Sequence, residues 1–335
     1  MAGKSTKKGE IVKSYLLKYK TTPILTLAKL IYSEKSDYFK SVEDVRDAVR
    51  YYAGLRGEPN RKRIVDKELL REPTYNYNPF DNIPKSYKEK ASVLTLGKGS
   101  QRIGILSDIH FPYHDEEALV TAINYLKEYQ PDTIILNGDI LDFYGLSSFD
   151  KDPSKPKMRE ELEQGRWFIS AMRQVFPNAL IYYKIGNHEM RLERWLKLKA
   201  PEWIGTDEFE IPILLKFGEN RIHLVEKFTT IKAGNLNIIH GHEYKGGGTV
   251  NPARNMYLKT KSSVICGHFH RKSEHLTKDI DGIVHGSWST GCLCELDAEY
   301  MNTHTEWVHG FATVDVKSDG SFSVDNKLII DGKVL

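Results

Sequence analysis

From residue 101 onward, apolar strand-like segments alternate with amphipathic helical segments, and this alternation constrains the fold more than any other feature. The segments "RIGILS", "DTIILN" and "ALIYYKIG" have the length and composition of buried strands. Between them, "DEEALVTAINYLKEY" and "MREELEQGRWFISAMRQVF" are predicted helices, the first capped by Asp115. This order predicts parallel strands between helices. Later segments, "RIHLVE", "LNIIH", "SSVICG" and "GIVHGS", have shorter connections and predict a second sheet packed on the first.

Side chains that can bind metal ions follow five of these strands. They are Asp108 and His110; Asp139; Asn187, His188 and Glu189; His240 and His242; and His268 and His270. Binding sites in α/β sheets lie beyond the carboxyl ends of strands. A single pair of histidines is a weak signal, but five such groups in succession predict one shared metal site.

In chain order, these groups read D-x-H, G-D, G-N-H-E, H-G-H and G-H-x-H. Over roughly residues 101–335 the chain resembles the calcineurin-like metallophosphoesterase superfamily. The stretches "SDIHFPYHD", "GNHEMRLERWL" and "GSWSTGCLCELDAEY" are most similar to its phage- and prophage-type members. The resemblance implies an α/β fold, a four-layer α-β-β-α sandwich.

The resemblance also implies two divalent metal ions per chain. Asp108, His110, Asp139 and His270 would hold one ion, and Asp139, Asn187, His240 and His268 the other, with Asp139 as the bridge. This donor set suits several ions and needs no thiolate. The habit of the family favours Mn²⁺, with Fe²⁺, Zn²⁺ and Mg²⁺ as alternatives.

The activity implied is phosphoester hydrolysis, by attack of a hydroxide held between the two ions. His188 would protonate the leaving oxygen or steady the phosphorus centre. Glu189 would orient His188 or a metal ligand, and His242 would contact the metal ligands rather than bind metal itself.

Several further residues are candidates for substrate contact. His114 either contacts substrate or caps a helix, and Arg191 and Arg194 either bind a second phosphate or form a solvated helix face. The Gly-rich segment "EYKGGGTVNPAR", residues 243–254, is predicted to be neither helix nor strand. It could be a mobile lid carrying Lys245 and Arg254.

The first part of the chain differs in charge from the rest. Residues 1–90 hold 20 Lys and Arg against 12 Asp and Glu, whereas the remainder holds 28 against 33. Residues 1–65 predict three short helices, with Thr22 and Ser41 as caps and Pro23 at a first helical position. Residues 66–100 predict a linker or extended arm, with Pro73, Pro79 and Pro84.

Three short helices, the third of them basic, resemble a helix-turn-helix or winged-helix module that binds nucleic acid. The basic residues concerned are Arg46, Arg50, Arg56, Arg61, Lys62 and Arg63. A helical docking domain is the alternative interpretation.

Three functions remain open from the sequence. A nuclease or nucleic-acid phosphodiesterase is favoured by the basic first part of the chain. A phosphatase or phosphodiesterase for nucleotides or other small esters, and a non-catalytic binding or regulatory module, are the alternatives. No apolar run is long enough to span a membrane. The cysteines Cys266, Cys292 and Cys294 are typical of a reduced protein. We therefore expect a cytoplasmic protein, phage-encoded and acting in the host cytoplasm, with a homodimer as one option.

Overall fold

The computed structural model describes residues 6–72, 83–86, 92–148, 152, 154–245, 250–297 and 304–335. The chain divides into two compact units, Met1–Lys88 and Glu89–Leu335. We call them the helical unit and the two-sheet unit. Of the prolines predicted to mark a linker, Pro73 and Pro79 lie outside the described residues. In the described part of the chain, no helix is both long and apolar enough to cross a bilayer.

The described part of the helical unit contains helices and two 3₁₀ turns. The helices are α1 (Lys7–Lys18), α2 (Ile24–Lys35), α3 (Val42–Tyr52) and α4 (Glu58–Arg63), and the turns are Ser36–Tyr38 and Lys67–Leu69. Ser41 caps α3 as predicted, since its hydroxyl accepts the Asp44 N–H at 3.2 Å. Pro23 precedes α2 and takes the cap position, where Thr22 was expected.

A small apolar core holds the helical unit together. The apolar stripes of α2 and α3 meet in it, with Leu27, Ile31, Val45 and Val49 fully buried. Leu69 is buried in the same core, so the compact part extends beyond the predicted boundary at residue 65.

The predicted basic cluster of the helical unit is largely paired with acids. Arg46 contacts Glu43 at 3.1 Å, and Arg56 contacts Asp47 at 3.3 Å. Arg61 and Lys62 contact Glu72 and Glu58. Arg50 and Arg63 are exposed, and neither forms an ion pair with another described residue. The cluster therefore carries less free charge than its sequence suggests.

The two-sheet unit contains two β-sheets flanked by helices. The strands are β1 (Val93–Thr95), β2 (Gln101–Leu106), β3 (Thr133–Leu136), β4 (Leu180–Lys184), β5 (Ile222–Val225), β6 (Thr230–Ala233), β7 (Leu236–Ile238), β8 (Val264–Cys266), β9 (Ser273–Lys278), β10 (Val284–Ser289), β11 (His309–Val316), β12 (Phe322–Ile330) and β13 (Lys333–Val334). The helices are α5 (Glu116–Tyr129), α6 (Met158–Val175), α7 (Met190–Lys199), α8 (Ile211–Leu214), α9 (Phe217–Asn220) and α10 (Pro252–Thr260).

The strand orders confirm the predicted pair of sheets, with two corrections. One sheet runs β13-β12-β11-β2-β3-β4-β5 and the other β1-β6-β7-β8-β10-β9. β2, β3 and β4 are parallel, as the alternation predicted. The segment "RIHLVE" was expected in the second sheet, but β5 pairs in parallel with β4 and extends the first. β1, within the predicted arm, pairs with β6.

Alternation of side chains along the strands builds the four-layer sandwich. In β3, Ile135 faces the core between the sheets, whereas Ile134 and Leu136 face the core under α5 and α6. In β8, Ile265 faces the other sheet, whereas Val264 and Cys266 pack with Met256 of α10. The fold class predicted from the sequence is confirmed.

Candidate metal centre

The loops that leave β2, β3, β4, β7 and β8 bring the seven predicted metal ligands together. We call Asp108, His110, Asp139, Asn187, His240, His268 and His270 the ligand cluster. Parallel strands carry their carboxyl ends to the same edge of a sheet, and both sheets contribute here. Asp108, His110, Asp139, His240 and His270 are buried, and Asn187 and His268 are partly exposed. The cluster is therefore open on the side of these last two residues.

The first predicted ligand set is compact. Asp108 Oδ1 lies 3.3 Å from His270 Nε2, and His110 Nε2 lies 3.3 Å from the same His270 nitrogen. His110 Nε2 is 3.9 Å from Asp139 Oδ2. Ligand atoms of Asp108, His110 and Asp139 all lie within 4.8 Å of one another.

The second predicted set shares Asp139 with the first. His240 Nε2 lies 3.2 Å from Asp139 Oδ2 and 3.1 Å from Asn187 Oδ1. His268 completes a group with Asp139 and His240 whose ligand atoms lie within 4.8 Å of one another. Asp139 Oδ2 therefore lies near side chains of both sets, and Asp139 would serve both ions.

Left-handed backbone conformations aim these side chains. Asp108, His110, Asp139, His268 and His270 have φ between 53° and 71°. Asp, Asn and His tolerate this region better than other non-glycine residues, but it remains costly. Gly138 is at φ 88°, and a Cβ there would lie 2.5 Å from His240 Nδ1. The turns are therefore specific to the residue types that the sequence places in them.

The cluster fits divalent metal ions. Asp108 Oδ1 is buried and accepts no hydrogen bond among the described residues, since the contact with His270 Nε2 at 3.3 Å does not have hydrogen-bond geometry. The other oxygen, Oδ2, accepts the His268 N–H at 2.9 Å. A buried carboxylate oxygen without a donor is costly, and a cation would satisfy it. Carboxylate, imidazole and amide ligands are those that first-row divalent ions accept. The residues present could hold two such ions.

Each buried imidazole of the cluster has a second partner that turns Nε2 toward the centre. His110 Nδ1 lies 3.0 Å from Asp142 Oδ1, and His240 Nδ1 lies 2.7 Å from the Asn137 carbonyl. His270 Nδ1 faces Cys294 Sγ at 3.8 Å. Such partners fix the tautomer and orientation of metal-binding histidines.

Electrostatics differ sharply among the histidines. Burial disfavours a charged His240, but Asp139 and Asp108 outweigh it and raise the pKa of His240 to about 10. Burial dominates at His268 and His242 and lowers the pKa of each to about 4. His240, whose Nε2 lies 3.2 Å from Asp139 Oδ2, therefore holds a proton more strongly than His268 or His242 does.

Asp142 holds the His188 ring, and the sequence interpretation missed it. His188 Nδ1 lies 2.8 Å from its carbonyl oxygen and 3.1 Å from its Oδ1. Burial opposes a charged His188, but Asp139 and Asp142 raise the pKa of this histidine. The available signal was a carboxylate three residues after Asp139, in "GDILD".

Arg191 belongs to the same network. Its guanidinium donates to the Asp142 carbonyl at 2.9 Å, and it lies 3.1 Å from His188 Nε2. His188 Nε2 is also 3.8 Å from Asp139 Oδ2. These contacts argue against the interpretation of Arg191 as part of a solvated helix face.

Glu189 organises backbone rather than the His188 ring. Its carboxylate accepts the N–H groups of Asp139, Ile140 and Gly186 at 3.0, 2.8 and 2.9 Å, and the Tyr183 hydroxyl at 2.8 Å. Among the described residues, no hydrogen bond joins it to the His188 ring. Its contacts hold the turn that carries Asp139.

Two more acids, the buried Glu161 and the slightly exposed Glu243, support the centre, and neither was predicted. Glu243 accepts the N–H groups of His240 and Gly241 and contacts Lys184 Nζ at 3.0 Å. Burial opposes its charge, but Lys184 and the adjacent histidines lower the pKa of Glu243 to about 2. Glu161 accepts the Phe143 N–H, and burial raises the pKa of Glu161 to about 8.

Other candidate substrate residues have mixed positions. Arg194 and His242 line a cavity of about 410 Å³, the side cavity, that also borders Asn187 and Arg191. Asp115, not His114, caps α5, since its carboxylate accepts the Ala118 N–H at 2.7 Å. The His114 ring packs on Phe111 with centroids 4.3 Å apart.

The predicted lid is partly helical. Residues 246–249 lie outside the described residues. Arg254 lies in α10, which Asn251 caps by accepting the Arg254 N–H at 2.8 Å, so the expectation of no helix in 243–254 is wrong. The overlooked signal was Asn251 followed by Pro252, which suit the N-cap and the first position of a helix. Lys245 and Arg254 are exposed and do not line the side cavity in the described part of the chain.

Comparison with known proteins identifies the class. The family model "Calcineurin-like phosphoesterase" matches residues 101–286. The chain therefore belongs to the calcineurin-like phosphoesterase family, and it is a metal-dependent phosphoesterase.

Its relatives include phage proteins. "Gene 54 protein" of Mycobacterium phage L5 is 30% identical over 255 residues, covering 70% of this chain and 98% of the relative. The protein of the same name from Mycobacterium phage D29 is 28% identical with the same coverage.

Solved structures share low identity with the chain. Vacuolar Protein Sorting 29 from Cryptosporidium parvum is 11% identical, with a TM-score of 0.39 over 71% of this chain and 95% of that one. Yfce, a phosphoesterase from E. coli, is also 11% identical, with a TM-score of 0.32 over 67% and 98%. A dimetal phosphatase from Danio rerio is 12% identical, with a TM-score of 0.33 over 68% and 95%.

Proposed function

We propose that the protein hydrolyses phosphodiester bonds in nucleic acid with two divalent ions, Mn²⁺ being the preferred pair, held by the ligand cluster. The observation that carries the nucleic-acid part is the charge distribution. Residues 1–90 hold 20 Lys and Arg against 12 Asp and Glu, whereas the rest of the chain is mildly acidic. A basic segment attached to a phosphodiesterase can retain a polyanion near the site of cleavage.

The side chains take distinct roles in this proposal. When bound, the ion pair would neutralise the phosphate and lower the pKa of water. Asp139, whose Oδ2 lies 3.2 Å from His240 Nε2, would contribute to both ions. His188 would deliver a proton to the leaving oxygen, with Nδ1 held by Asp142 at 2.8 Å. A positioned general acid of this kind contributes about 10²–10⁴-fold to the rate.

Hydrolysis of a nucleotide or another small phosphate ester is the second candidate. The side cavity, of about 410 Å³, favours it because small-molecule sites commonly occupy about 300–1,000 Å³. Such a cavity would enclose a mononucleotide without needing any contact from the helical unit.

The test compares substrates on one preparation of the full chain with Mn²⁺. Turnover is measured on an aryl phosphodiester, an aryl phosphomonoester, and single- and double-stranded DNA and RNA. We expect diesters to exceed monoesters, and polymer cleavage to fall with salt at a log–log slope of about −0.9 per phosphate contact on duplex DNA. Preference for the monoester, with polymers untouched, would replace the proposal by the second candidate.

A charge variant examines the role of the helical unit. Arg50→Gln with Arg63→Gln removes two exposed guanidinium groups that no described acid neutralises. The KM for polymer should rise more than the KM for the aryl diester. Lys197→Gln with Lys199→Gln, on α7, is the control with the same charge change. Equal effects of the two double variants would make the helical unit a docking or oligomerisation element.

The setting is part of the proposal. Relatives of this chain are mycobacteriophage proteins, so we propose action in the cytoplasm of an infected host. A homodimer stays a prediction. Light scattering by the full chain at several protein concentrations measures its molar mass directly.

A further inference from the structure

The side cavity lies directly beside the ligand cluster. Asn187, a member of the cluster, forms part of its wall, and so do Arg191 and Arg194 of α7 and His242 after β7. Leu146 and Met190 supply an apolar portion of the lining. A molecule bound at the metal centre could therefore extend into this cavity without crossing another element.

His242 is built into the wall without a polar partner. Its side chain is only 10% exposed, and neither ring nitrogen forms a hydrogen bond in the described part of the chain. The nearest carboxylate oxygen, of Glu243, is 3.7 Å from Nδ1, too far for a hydrogen bond. An imidazole always carries at least one N–H, and leaving it buried and unsatisfied is costly. A ligand that accepts this N–H would remove the cost.

Arg194 supplies charge at the same place. It lies one helical turn after Arg191, so both guanidinium groups project from one side of α7. Arg191 is occupied by Asp142 and His188. Arg194 is exposed and makes no hydrogen bond or ion pair with the described residues, Glu193 being paired with Lys197 and Lys227 instead. The cavity thus combines a guanidinium and an imidazole that have no hydrogen-bond partner among the residues that the structure describes.

We propose that the side cavity is a subsite for a second phosphate of the substrate, the one that flanks the scissile phosphate along a nucleotide chain. Arg194 would bind this phosphate through its planar fork of donors, and His242 would add one N–H. Leu146 and Met190 would contact the intervening sugar. The inference rests on the proposed function and specifies its substrate as an ester that carries a neighbouring phosphate.

The experiment uses two matched substrates and the full chain with Mn²⁺. Thymidine 5′-(4-nitrophenyl phosphate) is compared with the same ester carrying a 3′-phosphate. We expect the 3′-phosphate to lower KM at least about tenfold, the factor equivalent to about 1.4 kcal/mol. Calorimetric titration with thymidine 3′,5′-bisphosphate and thymidine 5′-monophosphate gives the same comparison without turnover.

Two variants and a control assign the effect. Arg194→Gln and His242→Leu should each reduce the advantage of the 3′-phosphate to less than about threefold, in KM and in Kd. Lys199→Gln removes the same charge from the same helix and should keep the full advantage. The leucine in the second variant needs no hydrogen bond, and Arg194→Gln remains informative even if that variant does not fold.

The outcomes separate this inference from the proposed function. If nucleic acid is cleaved but the 3′-phosphate gives no advantage in the wild-type protein, or Arg194→Gln keeps it, the subsite is overturned and the function stands. If nucleic acid is not cleaved but the bisphosphate binds more tightly and Arg194→Gln removes the difference, the function fails and the subsite stands.

Discussion

Replacing Lys184 by methionine should destabilise the two-sheet unit by about 3–5 kcal/mol, although Lys184 is not a predicted metal ligand. Its side chain is fully buried at the end of β4, where Nζ donates to the Thr229 carbonyl at 2.8 Å and contacts Glu243 Oε1 at 3.0 Å. Glu243 in turn accepts the N–H groups of His240 and Gly241. The ion pair thus connects the strand leading to Asn187 with the turn that carries His240.

The magnitude follows from what the substitution leaves behind. Methionine fills most of the lysine volume but has no charge, so the Glu243 carboxylate stays largely shielded from solvent with two backbone donors among the described residues. Removing one partner of a buried ion pair costs about 3–5 kcal/mol, because the other charge is left uncompensated. The double variant, Lys184→Met with Glu243→Gln, should recover at least about half of that loss, since no buried charge remains.

Urea unfolding followed by tryptophan fluorescence measures the effect. The five tryptophans, at 167, 195, 203, 288 and 307, all lie in the two-sheet unit, so the signal reports on that unit alone. Metal-free protein is used, so that stability and metal affinity are separated. Lys199→Met, at an exposed site on α7, is the control and should change stability by less than about 0.5 kcal/mol.

Two results would refute this reasoning. A loss below about 1 kcal/mol in Lys184→Met would mean that Glu243 is adequately solvated or has found another donor. A double variant no more stable than the single one would mean that volume rather than charge sets the cost. Either result would remove the ion pair as a support for the ligand turns.

Three further predictions concern the centre itself. Asp139→Asn should weaken both metal sites, because both sets lose a shared negative oxygen; two tightly bound ions per chain by metal analysis would contradict this. His188→Ala should keep both ions yet lose most activity, with a smaller loss on aryl than on alkyl esters, since good leaving groups need no proton; equal losses would exclude a general-acid role. The pKa of Glu161 is raised from 4.5 to about 8, so the folded state holds this proton more tightly than the unfolded chain does. The free energy of unfolding should therefore fall as the pH rises from 4.5 to 8. Glu161→Gln keeps an acceptor for the Phe143 N–H and should be more stable than wild type at pH 9, by up to about 5 kcal/mol; superimposable stability curves from pH 5 to 9 would show that Glu161 is not buried as an acid.

The positions of the ligands at the strand ends were predictable, because the order of strands and helices along the chain indicates a parallel sheet. β2, β3 and β4 follow from apolar runs separated by amphipathic helices, and a parallel sheet then places Asp108, Asp139 and Asn187 at one edge. The attribution of β5 to the wrong sheet has a physical cause. A short strand has no feature that distinguishes an edge of one sheet from an edge of the other, and only the pairing with β4 decides it.

The supporting residues could not be predicted in the same way. Contacts between segments far apart in the chain give Asp142, Lys184 and Glu243 their roles. The sequence does not distinguish a buried ion pair from a solvated one. The helical unit shows the converse. Arg46 and Arg56 counted as free charge in the sequence, but each faces an acid on α3.

The left-handed turns at five of the cluster residues determine how the centre can be dissected by mutation. At φ between 53° and 71°, alanine would remove the donor atom and also place a less tolerant residue in a costly backbone conformation. An alanine scan at Asp108, His110, Asp139, His268 and His270 would therefore mix loss of coordination with loss of the turn. Asparagine and glycine both tolerate this region, and only asparagine offers a ligand oxygen. The difference between these two variants at one position would therefore report on coordination with the turn retained.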